Sequence, residues 1–113
     1  MTDLIEQLEH SIQEFKKLAD LDNALGRLMQ NRDFKKVILD GYLDREAVRL
    51  VHLKSDPAMD YPAAQASILK QIDAIGCFNG YLSEIRRQGA LGIKSIGEAE
   101  ETLEELRAEG TEK

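Results

Sequence analysis

The stretch IEQLEHSIQEFKKLA, residues 5–19, sets the reading of the whole chain. Its apolar residues Ile5, Leu8, Ile12, Phe15 and Ala19 recur in steps of three and four, which puts them on one face of an α-helix and on neither face of a strand. Working toward the N-terminus, Thr2 or Asp3 is an N-cap candidate, and Asp3, Glu6 and Glu9 lie near the positive end of the helix dipole with Lys16 and Lys17 further along. Working the other way, Leu18, Leu21, Leu25 and Leu28 continue the rhythm in a shifted frame. One long helix to about Met29 is expected, with Asp20–Asn23 as the place for a kink. Its stripe can pack on the chain's own core or on a coiled-coil partner.

Residues 30–33 interrupt the pattern, and Asn31 or Asp33 can cap a short helix that gathers Phe34, Val37 and Ile38. Gly41 stands where a left-handed residue would end that helix and reverse the chain. Asp44 then caps a third helix to about Lys54, with Ala47, Val48, Leu50, Val51 and Leu53 on its apolar side. A short helical hairpin is the expectation here. Its apolar residues form a small knot and a natural folding nucleus.

Ser55–Pro62 carries two prolines and two aspartates and reads as a loop. Pro62 suits the first turn of a second long helix, capped by Asp60 or Tyr61 and running to Gln88. Ile68, Ile72, Ile75, Asn79 and Leu82 draw a heptad seam on it. Asn79 is then either a buried amide that fixes register or a polar spot in a monomeric core. Gly89 and Gly92 punctuate the next stretch, which reads as a linker whose Leu91, Ile93 and Ile96 can dock on a neighbour. Ser95 and Glu98 form a capping box for a last, acidic helix with a narrow stripe of Ile96, Ala99, Leu103 and Leu106. Its final residues, 110–113, are expected to fray. The predicted class is all-α: a long N-terminal helix, a short helical hairpin, a second long helix, a glycine-rich linker and an acidic C-terminal helix. The predicted organisation is a helical domain over 1–88 and an arm over 89–113.

Composition agrees with that class. The 113 residues are 42% hydrophobic and 32% charged, with no Trp, three Tyr and three Phe, so a core can form but an aromatic-rich sandwich or barrel cannot. Cys77 has no intramolecular partner, which favours a reducing compartment. Residues 1–13 lack the basic-then-apolar order of a secretory signal, and no apolar run approaches the ~20 residues of a bilayer span. The net charge of -6 is concentrated after Gly97. Arg27–Lys54 is locally basic, a polarity suited to docking between oppositely charged surfaces.

Catalytic chemistry is not legible. His10 and His52 belong to no metal-ligand spacing, Cys77 has no companion ligand, and the glycines form no phosphate-cradling loop. No catalytic residue, cofactor or metal is predicted, and the chain is read as a non-enzyme. Arg45, Arg49 and His52 share a helix face that could grip an acidic group, or simply be solvated. Arg27, Arg32, Lys35 and Lys36 add to a basic surface, but Asp33, Asp40, Asp44 and Glu46 are interleaved and the tail is acidic, which argues against nucleic acid.

Asn31–Leu43, with Glu46, Ala47, Val48, Arg49 and Leu50 after it, resembles a pattern in small proteins of tailed bacteriophages, in which Asn-x-Asp-Phe opens a short helix, a Gly-Tyr turn follows, and an arginine-bearing helix comes next. The resemblance covers residues 25–54 and, more loosely, Ile68–Ile85; the acidic tail lies outside it. It implies a virion-associated or assembly role, placing the chain in the virion or the host cytoplasm with protein partners, either copies of itself or phage structural proteins, and no membrane. The partner-binding residues expected are Arg45, Arg49, Asn79, Leu91, Ile93, Ile96, Leu103 and Leu106. The alternative is a small phage regulator that binds a host protein or nucleic acid through the basic 27–54 surface.

Overall fold

A computed structural model describes residues 2–111, and among them there is helix but no strand. Helix α1 spans Thr2–Gln30. A short α2, Arg32–Phe34, runs into a π-helix over Lys35–Glu46 and then into α3, Ala47–Lys54. A 3-10 turn, Pro57–Met59, precedes α4, Pro62–Thr111. The all-α expectation holds, and the division into segments is coarser than expected.

Three boundaries differ for physical reasons. No described residue, glycine included, has a positive φ, so Gly41 reverses nothing: it lies inside the π-helix, and the predicted hairpin is one unbroken helical run. Residues 88–96 are likewise not a linker. Gly89 and Gly92 stay helical within α4, because two isolated glycines cost a helix only about 1 kcal/mol each, a cost that packing offsets. Thr2 and Asp3 are already helical, so neither is the N-cap, and residue 1 lies outside the described residues. At the other end the helix continues through Gly110 to Thr111, and residues 112 and 113 of the expected frayed end lie outside the described residues.

The helices divide into two compact units, residues 1–25 with 84–113 and residues 26–83. This partition cuts across the expected 1–88 and 89–113 division. In the first unit, α1 and the end of α4 pair antiparallel, as the Glu9–Arg107 and Asp22–Arg86 ion pairs require. On α1 the inward positions are Ile5, Leu8, Ile12, Phe15, Ala19 and Asp22, while Leu21 and Leu28 of the expected second stripe are exposed. On α4 they run from Ile85 through Gly89, Gly92, Ile96, Ala99 and Leu103 to Leu106, alternating four and three. Ile12, Ala99 and Leu103 form the core, with Ile5, Leu8 and Ile96 packed on it. The C-terminal stripe is therefore core of this unit and not an unattached arm. It finds its partner in α1, whose burial of large aliphatic side chains stabilises by about 1.5–3 kcal/mol each.

In the second unit, Leu50 of α3 is fully buried between Ile68 and Ile75 of α4, with Tyr42, Leu43, Leu53 and Ile72 around them. Tyr42 meets Phe78 edge-on, with ring centroids 5.9 Å apart. This contact redirects the seam: after Ile72 and Ile75 it takes a second step of three to Phe78, and Asn79 turns outward, exposed. Asn79 is thus not a polar spot in the core of this unit. Side-chain caps close two of the helix starts. Asn31 Oδ1 accepts from the Phe34 backbone N–H at 2.9 Å, and Asp56 Oδ1 accepts from that of Ala58 at 2.9 Å. Of the two candidate caps of α4, Tyr61 supplies the carbonyl that accepts from the Gln65 backbone N–H.

Leu103→Ala should lower stability by about 2–5 kcal/mol, the range for deleting a buried leucine side chain, whereas exposed Leu91→Ala should change it by under about 0.5 kcal/mol. Thermal melts followed by circular dichroism check the contrast. Equal effects would mean the Leu103 side chain is not core.

Candidate interaction surfaces

The eight predicted contact residues separate into three groups. Ile96, Leu103 and Leu106 are drawn into the first unit, Leu103 to 4% exposure. Leu91 and Ile93 remain at its surface, 50% and 58% exposed. Arg45 and Asn79 are exposed in the second unit. Arg49 is exposed too, but its Nε donates to Glu46 Oε1 at 2.9 Å with a second guanidinium contact to the same oxygen. That hydrogen bond, then the Glu46 charge, raises the Arg49 pKa. In the isolated chain its guanidinium is paired with Glu46, three residues earlier at the end of the π-helix.

One feature of the first unit was missed in the sequence. A Cβ added at Gly89 would lie 2.3 Å from the Asp22 Cβ, and one added at Gly92 would lie 3.0 Å from the Phe15 carbonyl oxygen. Only glycine lets α4 come this near α1. Asp22 is consequently sunk against the α4 backbone, 16% exposed, with Arg86 Nη1 3.5 Å from its Oδ1. Oδ1 is buried and accepts no hydrogen bond. The signal was present, since Asp22 is the next step of the Ile5, Leu8, Ile12, Phe15, Ala19 series.

Charge and apolar surface are distributed differently on the two units. Residues 1–25 and 84–113 hold 14 acidic and 7 basic side chains, so this unit carries -7. Residues 26–83 hold 7 acidic and 8 basic ones and are nearly neutral. The second unit exposes Val37, Val48, Val51, Tyr61, Leu69 and Tyr81, more such side chains than the first, which exposes Leu4, Leu21, Leu91 and Ile93. Two shallow hollows of ≈ 340 and ≈ 360 Å³ flank its core, one floored by Leu53, Met59 and Ile68, the other by Tyr42, Leu50 and Ile75, with Gln71 at the edge of both. A third, of ≈ 450 Å³, is lined by Asp3, Glu6, Gln7, His10 and Ser11 of α1 alone, which makes it the side of a helix and not a cleft.

Among the described residues no three His, Cys, Asp or Glu side chains converge in a metal-binding group. None of their helices is long and apolar enough to cross a membrane. Neither a protein-family model nor a curated protein nor a solved structure matches the chain. What the geometry defines is an all-α protein of two helix-paired units, each with its own small core.

Two outcomes follow from these contacts. Gly89→Ala should destabilise by about 1–3 kcal/mol through overpacking; Asp22→Gly should recover more of that loss than Asp22→Ala, because the added Cβ meets the Asp22 Cβ at 2.3 Å as well as its carboxylate at 2.5 and 2.6 Å, as denaturant midpoints would reveal. Glu84, bound by Arg87 and then Gln88, has its pKa pulled down to about 2. A depressed carboxylate contributes its stabilisation above the unfolded pKa and loses it as pH falls through the folded one, here between the ordinary glutamate range and about 2. An NMR titration should find that low midpoint, and Arg87→Ala should return it toward the ordinary range.

Proposed function

We propose that this chain is a non-enzymatic structural or assembly protein of a tailed bacteriophage, acting in several copies through helix-mediated contacts with other protein chains. The observation that carries the reading is the apolar side chains the second unit leaves uncovered. Val37, Val48, Val51, Tyr61, Leu69 and Tyr81 are large, lie outside its core and are exposed. Exposed apolar side chains in such number suit a protein surface that becomes buried on assembly. Val37 and Val48 fall inside the segment that resembles the phage proteins.

Helix pairing supports the same reading. Both units are built by laying one amphipathic helix on another, and a further helix from a partner could extend either in the same way. The near-neutral charge of the second unit gives nucleic-acid binding little support, because phosphate contacts need an excess of cations. The sites of action that fit are the virion and, during assembly, the host cytoplasm.

Mass spectrometry of purified virions and of assembly intermediates should find the chain in at least one of them; its absence from both would overturn the proposal. Leu69→Asp with Tyr81→Asp should leave helicity and melting temperature close to native while reducing incorporation at least tenfold. Unchanged incorporation would remove these two side chains from the interface.

A further inference from the structure

The π-helix over Lys35–Glu46 is twelve residues long, whereas π-helical backbone is usually a single turn inserted in an α-helix, often where function requires it. None of its residues is fully buried; Tyr42 and Leu43 pack on the core from its surface and Tyr42 meets Phe78, contacts that any change of winding must break. In its middle, a Cβ added at Gly41 would meet the Lys36 carbonyl oxygen, five residues back, at 3.1 Å. The segment leads into α3, which is apolar on two sides: Leu50 and Leu53 face Ile68 and Met59, while Val48 and Val51 are exposed, the latter to 57%.

The geometry points to Lys35–Glu46 as a winding switch that rewinds from π to α and screws α3 about its own axis until Val48 and Val51 occupy the places of Leu50 and Leu53. An α-helix turns 100° per residue and a π-helix about 82°, so rewinding twelve residues turns whatever follows by roughly 200°. Two residues of α-helix also span 200°. The rotation therefore carries Val48 to the angle of Leu50 and Val51 to that of Leu53. The rise agrees. At about 1.15 Å per residue in π and 1.5 Å in α, rewinding lengthens the segment by about 4 Å, close to the 3 Å that separates positions i and i+2. Both coordinates of the screw thus bring one apolar pair onto the other.

The resting winding has identifiable supports. Valine fills less space than leucine, so the Ile68 and Ile75 contacts are better filled with Leu50 in place. Gln65 Nε2 donates to the Lys54 and Met59 carbonyl oxygens, each at 3.0 Å, pinning the far end of α3 to the turn before α4. That latch must open for α3 to screw forward, and Ser55–Tyr61 is the segment that takes up the motion. Rewinding withdraws Val48 and Val51 from the surface and presents Leu50 and Leu53 instead, so the two windings offer different faces to a partner.

Methyl NOE spectroscopy on the full chain tests this. The native protein should show Leu50 methyl contacts to Ile68 and Ile75. In Gly41→Ala with Gln65→Ala, which crowds the π winding and removes the latch, the ratio of Val48 to Leu50 cross-peaks onto Ile75 should rise several-fold. Adding Val48→Asp, harmless at an exposed position but costly in Leu50's place, should reverse the rise. A double variant that stays folded and keeps only the Leu50 contacts overturns the switch. Should that variant lose its helicity, relaxation dispersion on the native chain decides: concerted millisecond exchange at Val48, Leu50, Val51 and Leu53, suppressed by Val48→Asp, supports it, and flat profiles overturn it.

Discussion

At Gly89 the backbone of α4 comes so near α1 that an added Cβ would sit 2.3 Å from the Asp22 Cβ, and Gly92 repeats the approach against the Phe15 carbonyl. This near-contact sets the geometry of the first unit. Once two helices touch there, the alternating four and three spacing of α4 delivers Ile96, Ala99 and Leu103 onto the stripe of Ile5, Leu8 and Ile12. The acid at position 22 is the cost of that approach. Its buried oxygen lacks a hydrogen bond, and Arg86 alongside offsets part of the charge burial.

The second unit solves a different problem. From Phe34 to Leu50 its partly or fully buried residues recur every four positions, as in Ile38, Tyr42, Glu46 and Leu50. An α-helix drifts forward against a four-residue repeat and a π-helix drifts backward, since their turns hold 3.6 and about 4.4 residues. A run that is π over Lys35–Glu46 and α over Ala47–Lys54 divides the drift between the two windings. The result keeps Tyr42 on Phe78 and Leu50 on Ile75 with the same chain.

The two units also present opposite kinds of surface. The acidic excess lies on the first, where exposed glutamates surround a small core, and like-charge repulsion among them disfavours close association of that surface with itself. Among the described residues, seven of the eleven exposed large apolar side chains lie on the second, where charge nearly balances. Apolar contact is cheapest where few charges must be desolvated.

The sequence by itself determined the all-α class, the long N-terminal helix, the break near Asn31, the loop at 55–61 and the helix start at Pro62. These follow from local quantities: apolar periodicity, capping side chains and the fixed φ of proline. It also contained the stripe of Ile96, Ala99, Leu103 and Leu106, though not its destination, because a stripe states that a face will be buried and not against what. Only the tertiary structure decided that Gly89 and Gly92 are sites of close approach and not punctuation of a linker, since glycine's lack of a side chain permits both. It likewise decided that Gly41 continues a helix: the reversal expected there is a local option that lost to the contacts of Tyr42, Leu43 and Leu50 with α4. Asn79 was displaced from its seam by the neighbouring Phe78, whose ring found Tyr42, a residue 36 positions earlier that no local pattern could have named.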